Sequence, residues 1–244
     1  MNQHGALTVR RLRLLSGLVM FAYITMHLVN HALGIVSLAL AEGGLRLALA
    51  FWRTPPATLL LYGAAAVHFS LALWTLYSRR EWRLPFIEVV RLGSGFSLPL
   101  LLISHAVTTR LGDTLFAIRP SYTAIVAGLL AAGTQGLQLA LLAPGWLHGC
   151  LGLWITLRRF PALQRMRNWL VALVVVIPLA AALGFLRMAQ EVSATRAPPP
   201  VGTDAQHMIL AAWMNEITIG YLGAIMAAFA LGRLHALWQQ WRPV

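Results

Sequence analysis

Lysine is absent from these 244 residues, and all 19 basic side chains are arginine. Carboxylates are scarce, at seven. The single cysteine, Cys150, lies within an apolar segment. That excludes a disulfide framework and any cysteine-built metal or iron–sulfur centre. Charged residues make up only 11% of the chain, and no polar stretch is long enough to be a separate soluble domain. No internal repeat is evident. No small-residue cleavage site follows the first apolar run, so a removable signal peptide is not expected there. The net charge of +12 does not lie along one polar face. The arginines cluster between apolar runs, which excludes nucleic acid as the partner.

What is present is apolar. Hydrophobic residues are 59% of the chain, more than a soluble domain of this size buries, so the expected class is an all-α integral membrane protein. Six spans are predicted, at about 13–40, 57–78, 86–109, 133–158, 168–187 and 207–233, within a single transmembrane domain covering 1–244. The last span is expected to continue as an interfacial helix to Trp241. Residues 42–53 read as a short polar loop, with Pro55-Pro56 as a turn. The stretch 111–158 is too long for one crossing, which takes about 20 residues. Its first part, 121–131, is therefore expected to lie on the surface as a short helix, and Pro144-Gly145 is expected to kink the fourth span. A loop containing Pro198-Pro199-Pro200 precedes span six.

Arginine counts set an expected orientation. Thirteen fall on the side that holds both termini (Arg10, Arg79, Arg80, Arg158 and Arg159 among them), against six on the other. The six include Arg46, Arg53, Arg110 and Arg119, partly offset by Glu42, Asp113, Glu191 and Asp204. The positive-inside rule then places both termini in the cytoplasm. Trp52, Trp82, Trp169, Trp213 and Trp238 fall near the expected interfaces.

The first span carries His27 and His31, one helical turn apart on one face. Ionisable groups at membrane depth are expensive and mark function. His68, His105 and His148 follow in spans two, three and four. His68 precedes Arg79 by eleven residues and His148 precedes Arg158 by ten, which places both about 15–16 Å from that surface. His105 lies nearer the opposite side, and its partner at that depth is His27 or His31. Two histidine pairs at two depths is the arrangement two six-coordinate haems require. The bundle formed by spans one to four, about 13–158, is therefore expected to bind two haem b groups. Gly17, Gly34, Gly63, Ala64, Ala65, Gly149 and Gly152 are small residues beside these positions.

Each histidine also has a plainer reading, as a hydrogen-bond partner of a neighbouring helix or part of a proton path. Zinc or copper ligands would converge at one depth rather than two. His4, His207 and His235 read as terminal or interfacial. Glu216 reads as interfacial, or as a proton or quinone contact. Arg91 and Arg110 read as snorkelling side chains or as partners of haem carboxylates. His31 reads either as the partner of His105 or as the wall of a quinone site.

Ser16-Gly17-Leu18, with His27 eleven positions after the serine, resembles the first helix of the dihaem cytochrome b subunits of succinate dehydrogenase and fumarate reductase. The phrases FAYITMHLVNHALG, LLYGAAAVHFSLALWTLY, LISHAVTTRLGD and WLHGCLGLWITLR resemble the six-span membrane anchor of bacterial class III adenylate cyclases. This resemblance implies His27, His68, His105 and His148 as haem-iron ligands and quinone as redox partner. It also implies the bacterial inner membrane as location, a fused or separate cytoplasmic cyclase domain as output, and a homodimer. The chain ends at Val244, just past span six, as a truncated piece or a stand-alone subunit would. Neither a cyclase catalytic domain nor iron–sulfur cysteines lie within it, so cyclase activity does not belong to these residues.

Three functions compete at this level: a redox-sensing dihaem anchor, an electron-transfer anchor of a respiratory dehydrogenase or reductase, and a haem-free transporter. The scarcity of intramembrane carboxylates argues against a proton-coupled carrier.

Overall fold

The computed structural model describes residues 3–195 and 201–241. Arg196, Pro198-Pro199-Pro200 and Arg242 lie outside them, as do the details of the His4 side chain. Among the described residues the secondary structure is helical, with no strands. The helices are α1 (Gln3–Ala32), α2 (Leu38–Trp52), α3 (Pro55–Ser78), α4 (Phe86–Ala106), α5 (Gly112–Phe116), α6 (Tyr122–Ala132), α7 (Gln135–Ala140), α8 (Leu142–Leu157), α9 (Pro161–Arg165), α10 (Arg167–Ala194) and α11 (Asp204–Gln240).

Six helical segments are long and apolar enough to cross a membrane: Leu7–Ile35, Pro55–Ser78, Phe86–Phe116, Gln135–Thr156, Arg167–Ala194 and Asp204–Gln240. Their outward faces carry bare aromatic and aliphatic side chains, among them Phe86, Leu59, Trp169, Ile219 and Met226. Water solvates such a surface poorly and hydrocarbon solvates it well, so the fold is compatible with a multi-pass membrane protein.

The helices form a ring. α1 packs on α3 and α8, α8 packs on α4, and α11 closes the circuit by packing on both α3 and α4. The four histidine-bearing helices are therefore not closed on themselves: the sixth span separates the second from the third. Tyr221 holds it there, donating to the Phe96 carbonyl oxygen at 2.7 Å and stacking on Phe69. Gly232 lets α11 approach the Tyr77 backbone, and Arg80 donates to its carbonyl at 3.1 Å. α10 lies outside the ring against α1, α8 and α6. A Cβ on Gly34 would lie 2.7 Å from the Gly184 carbonyl oxygen, so this glycine serves the close approach of the turn after α1 to α10 rather than an interior space.

Three local expectations change. Residues 42–53 are not a loop but most of α2. Ser37 caps it, accepting from the Leu40 N–H at 3.1 Å, and Gly44 is needed because a side chain there would strike Asn30. Span one correspondingly ends at Ile35 rather than near residue 40, in a 3₁₀ turn. The short helix α6 is more than a surface element, because Tyr122 and Val126 are buried under it against α10 and α2. The expected kink of the fourth span falls at Leu141, between α7 and α8. Pro144 has no N–H to give the Ala140 carbonyl four residues earlier, and the helix breaks there.

Candidate functional site

Helix ridges place the four ring histidines on two diagonals. His68 on α3 and His148 on α8 face each other with ring centroids 6.1 Å apart and planes at 87°. His27 on α1 and His105 on α4 face each other at 5.8 Å and 69°. Ser16, which touches His68, precedes His27 by eleven residues, so the two diagonals are separated by about 16 Å along α1.

The first diagonal has its proton positions fixed by its neighbours. Ser16 Oγ lies 2.7 Å from the Leu12 carbonyl oxygen, which takes its only proton. It can then only accept from His68 Nδ1, at 3.1 Å. His148 Nδ1 lies 2.9 Å from the Arg91 carbonyl oxygen and must donate to it. Both rings therefore carry the proton on Nδ1 and present a bare Nε2 lone pair, the form in which imidazole binds a metal. Gly17 and Gly95 flank this pair. A Cβ at Gly95 would lie 2.6 Å from His148 Cε1, and one at Gly17 would lie 3.3 Å from His68 Cε1.

The second diagonal lies in a cavity of about 380 Å³ with a mostly apolar lining. Gln138 Nε2 lies 3.0 Å from His105 Nδ1, and a half-turn of the amide would present its oxygen instead. His27 is parallel to Tyr23 at 6.1 Å, and its Nε2 lies 3.2 Å from His31 Nε2. Of the two histidines on α1, His27 faces His105. His31 packs against Tyr122 at 5.2 Å and Phe185 at 6.4 Å.

Each diagonal has two guanidinium groups beside it. Arg13, bonded to Thr75 Oγ1 at 2.8 Å, and Arg91, 3.6 Å from Glu88, lie near the first. The Arg91 Nε is buried with no hydrogen-bond partner among the described residues. Arg53 and Arg110 line the cavity of the second. Arg53 pairs with Asp113 and donates to the Thr109 carbonyl at 3.2 Å. Burial and the Arg110 charge both pull its pKa down. Arg110 lies over the Tyr62 ring and donates to Thr58.

The remaining candidates fall elsewhere. Glu216 is exposed on α11. His207 contacts the Val201 carbonyl, and His235 contacts Gln239. Trp52 is turned inward, donating to Met26 Sδ at 3.0 Å and lining the cavity. Ser16, Gly95 and Gln138 serve the histidines directly, and sequence reasoning did not assign them that task. Their only signal was a polar or glycine residue one to three turns from a histidine inside an apolar run.

A metal–imidazole bond is about 2.0–2.1 Å, so two imidazoles on opposite sides of one metal hold their ring centroids roughly 6 Å apart. Both diagonals fit that separation. Among the described residues no group of three or more His, Cys, Asp or Glu side chains is arranged to hold a metal ion. Compared with protein-family models, with curated proteins and with solved structures, the chain finds no match.

Proposed function

We propose that this chain is a membrane cytochrome module that binds two haem b groups and exchanges electrons with quinone. His68 and His148 would hold one haem and His27 and His105 the other. The observation that carries the reading is the pair of facing imidazole diagonals at two depths, each near the centroid separation of a bis-imidazole iron. The Nδ1 bonds of His68 and His148 support it, since they leave both Nε2 atoms free. The arginine pairs support it further: Arg13 with Arg91, and Arg53 with Arg110, would hold the haem carboxylates. Bound there, haem would supply one-electron exchange, and the four imidazoles and their burial would set its potential. The protein's part is to fix the rings, exclude water and carry the compensating charge.

By resemblance, the module is a redox-sensing anchor in a bacterial cytoplasmic membrane with both termini inside. Its output would be a fused or partner cyclase domain reached through the C-terminal end of α11, from Arg233 onward.

The test is the haem content of purified protein and its reduced-minus-oxidised spectrum. About two haem b per chain with a b-type Soret shift are expected. Folded protein without haem sinks the proposal.

A further inference from the structure

Two consecutive membrane-length segments, ending in α8 and beginning with α10, are joined by a short connection that contains α9. That connection shapes a half-open pocket of about 440 Å³. Trp154 and Arg158 line it from the end of α8, Gln164 and Arg165 from α9, and Arg167 and Asn168 from the start of α10. Arg158 is ten residues past His148, about 15 Å along the helix, so the pocket is separate from both histidine diagonals.

Local chemistry holds the arginines together. Phe160 is extended ahead of Pro161, which opens α9 and turns the chain back. Gln164 Nε2 then donates to the Arg158 carbonyl oxygen at 2.7 Å and ties α9 to the end of α8. Arg165 and Arg167 are thereby brought to the same pocket as Arg158.

The charge in this pocket is one-sided. Three guanidinium groups line it and no carboxylate does. The sequence holds no Asp or Glu between Asp113 and Glu191. Glu88 of α4 is already engaged by Arg79 and Arg91. Among the described residues none of Arg158, Arg165 and Arg167 forms an ion pair. Like charges gathered in one pocket repel one another, and an anion relieves that repulsion. Guanidinium forks match the oxygens of a phosphate, and the Asn168 amide adds a further donor.

We infer that this pocket binds the phosphate of an anionic phospholipid. Its place in the fold selects a lipid over free phosphate. It lies where two membrane-length helices end, and the α10 face leading away from it carries Trp169, Leu173 and Val176, all exposed. Their spacing puts them in one row, along which acyl chains can lie. Free phosphate gains nothing from such a row. A phosphatidylcholine brings its own cation into the cluster and is disfavoured. The need for arginines on one side of a membrane accounts for their number but not for their convergence on a pocket. The site stands independently of haem.

The test uses the full chain in uncharged detergent micelles and reads energy transfer from tryptophan to a dansyl-tailed phosphatidylglycerol. Transfer should saturate and be reversed by unlabelled phosphatidylglycerol, with phosphatidylcholine about tenfold or more weaker as competitor. Arg165→Gln with Arg167→Gln should weaken binding about tenfold or more, whereas Arg10→Gln with Arg11→Gln, an equal loss of charge at the first span, should change it by less than about twofold. Asn168→Asp, which places a carboxylate in the lining and removes no arginine, should weaken it several-fold. Equal weakening in the two double variants overturns the inference, because net charge alone then explains binding. Equal competition by phosphatidylcholine overturns it as well. Displacement by millimolar inorganic phosphate as effective as by phosphatidylglycerol also overturns it, because the site then takes phosphate and not a lipid.

Discussion

At the scale of single residues, the arrangement makes the histidines separable. His68→Ala and His148→Ala should each remove one haem and spare the other, because the second diagonal lies about 16 Å away along the helices. Haem per chain should fall from about two to about one. Equal loss of both haems from either variant would break the pairing. Ser16 gives a finer test. Its hydroxyl is the acceptor that holds His68 Nδ1–H at 3.1 Å. Ser16→Ala should weaken haem retention at that site about 10–100-fold, the usual effect of removing a group that orients a metal-ligating histidine. Titration of stripped protein with hemin reads it. Gly95→Val should displace His148, since even a Cβ meets that ring at 2.6 Å. Gly63→Ala should be silent in the same assay, because among the described residues nothing lies within 4 Å of a Cβ there.

At the scale of elements, the crossing of α1 and α10 depends on two glycines. A Cβ at Gly184 would strike the His31 carbonyl oxygen, which belongs to backbone and cannot swing away. Gly184→Val should therefore destabilise the fold by about 1–3 kcal/mol, the usual cost of overpacking. Denaturation in mixed micelles measures it, and a change under about 0.5 kcal/mol, the scale of an ordinary surface substitution, would show that the helices slide freely. The apolar runs made all six long helices legible in the sequence, because length and hydropathy alone define a crossing. Less local features were not legible. Glu42, Gly43, Gly44 and Arg46 look like a polar loop, yet Gly44 lets α2 pack on Asn30, and Glu42 accepts from Thr123 N at 2.9 Å to cap α6. Glu42→Ala should accordingly loosen α6 and cost about 1 kcal/mol. The insertion of α11 between α3 and α4 could not be read, because it depends on Tyr221 and Gly232 meeting particular neighbours. Depth could be counted along a helix, so His68 and His148 were matched from sequence. The choice between His27 and His31 could not be made that way, because both share one helical face, and only the rotation of α1 distinguishes them.

At the scale of the whole molecule, the two diagonals differ in depth, and depth has an electrical consequence. Moving one elementary charge across a full membrane at 100 mV costs about 2.3 kcal/mol. A separation of about 16 Å is roughly half of a hydrocarbon core about 30 Å thick. An electron shared between two haems held on these diagonals should therefore feel about half of the applied potential, or about 1.2 kcal/mol per 100 mV. That is roughly a sevenfold change in the ratio of the two reduced haems. The measurement is made on half-reduced protein in proteoliposomes under a potassium diffusion potential, with the two haems told apart by the spectra of His68→Ala and His27→Ala. The arginine-rich ends of α3 and α8 lie on the side of the His68–His148 pair rather than of the His27–His105 pair, and the positive-inside rule would put that side in the cytoplasm. A potential negative inside should then shift electrons toward the His27–His105 pair. No shift would mean that the pairs lie at one depth in the membrane, and a shift of opposite sign would reverse the orientation drawn from the arginines.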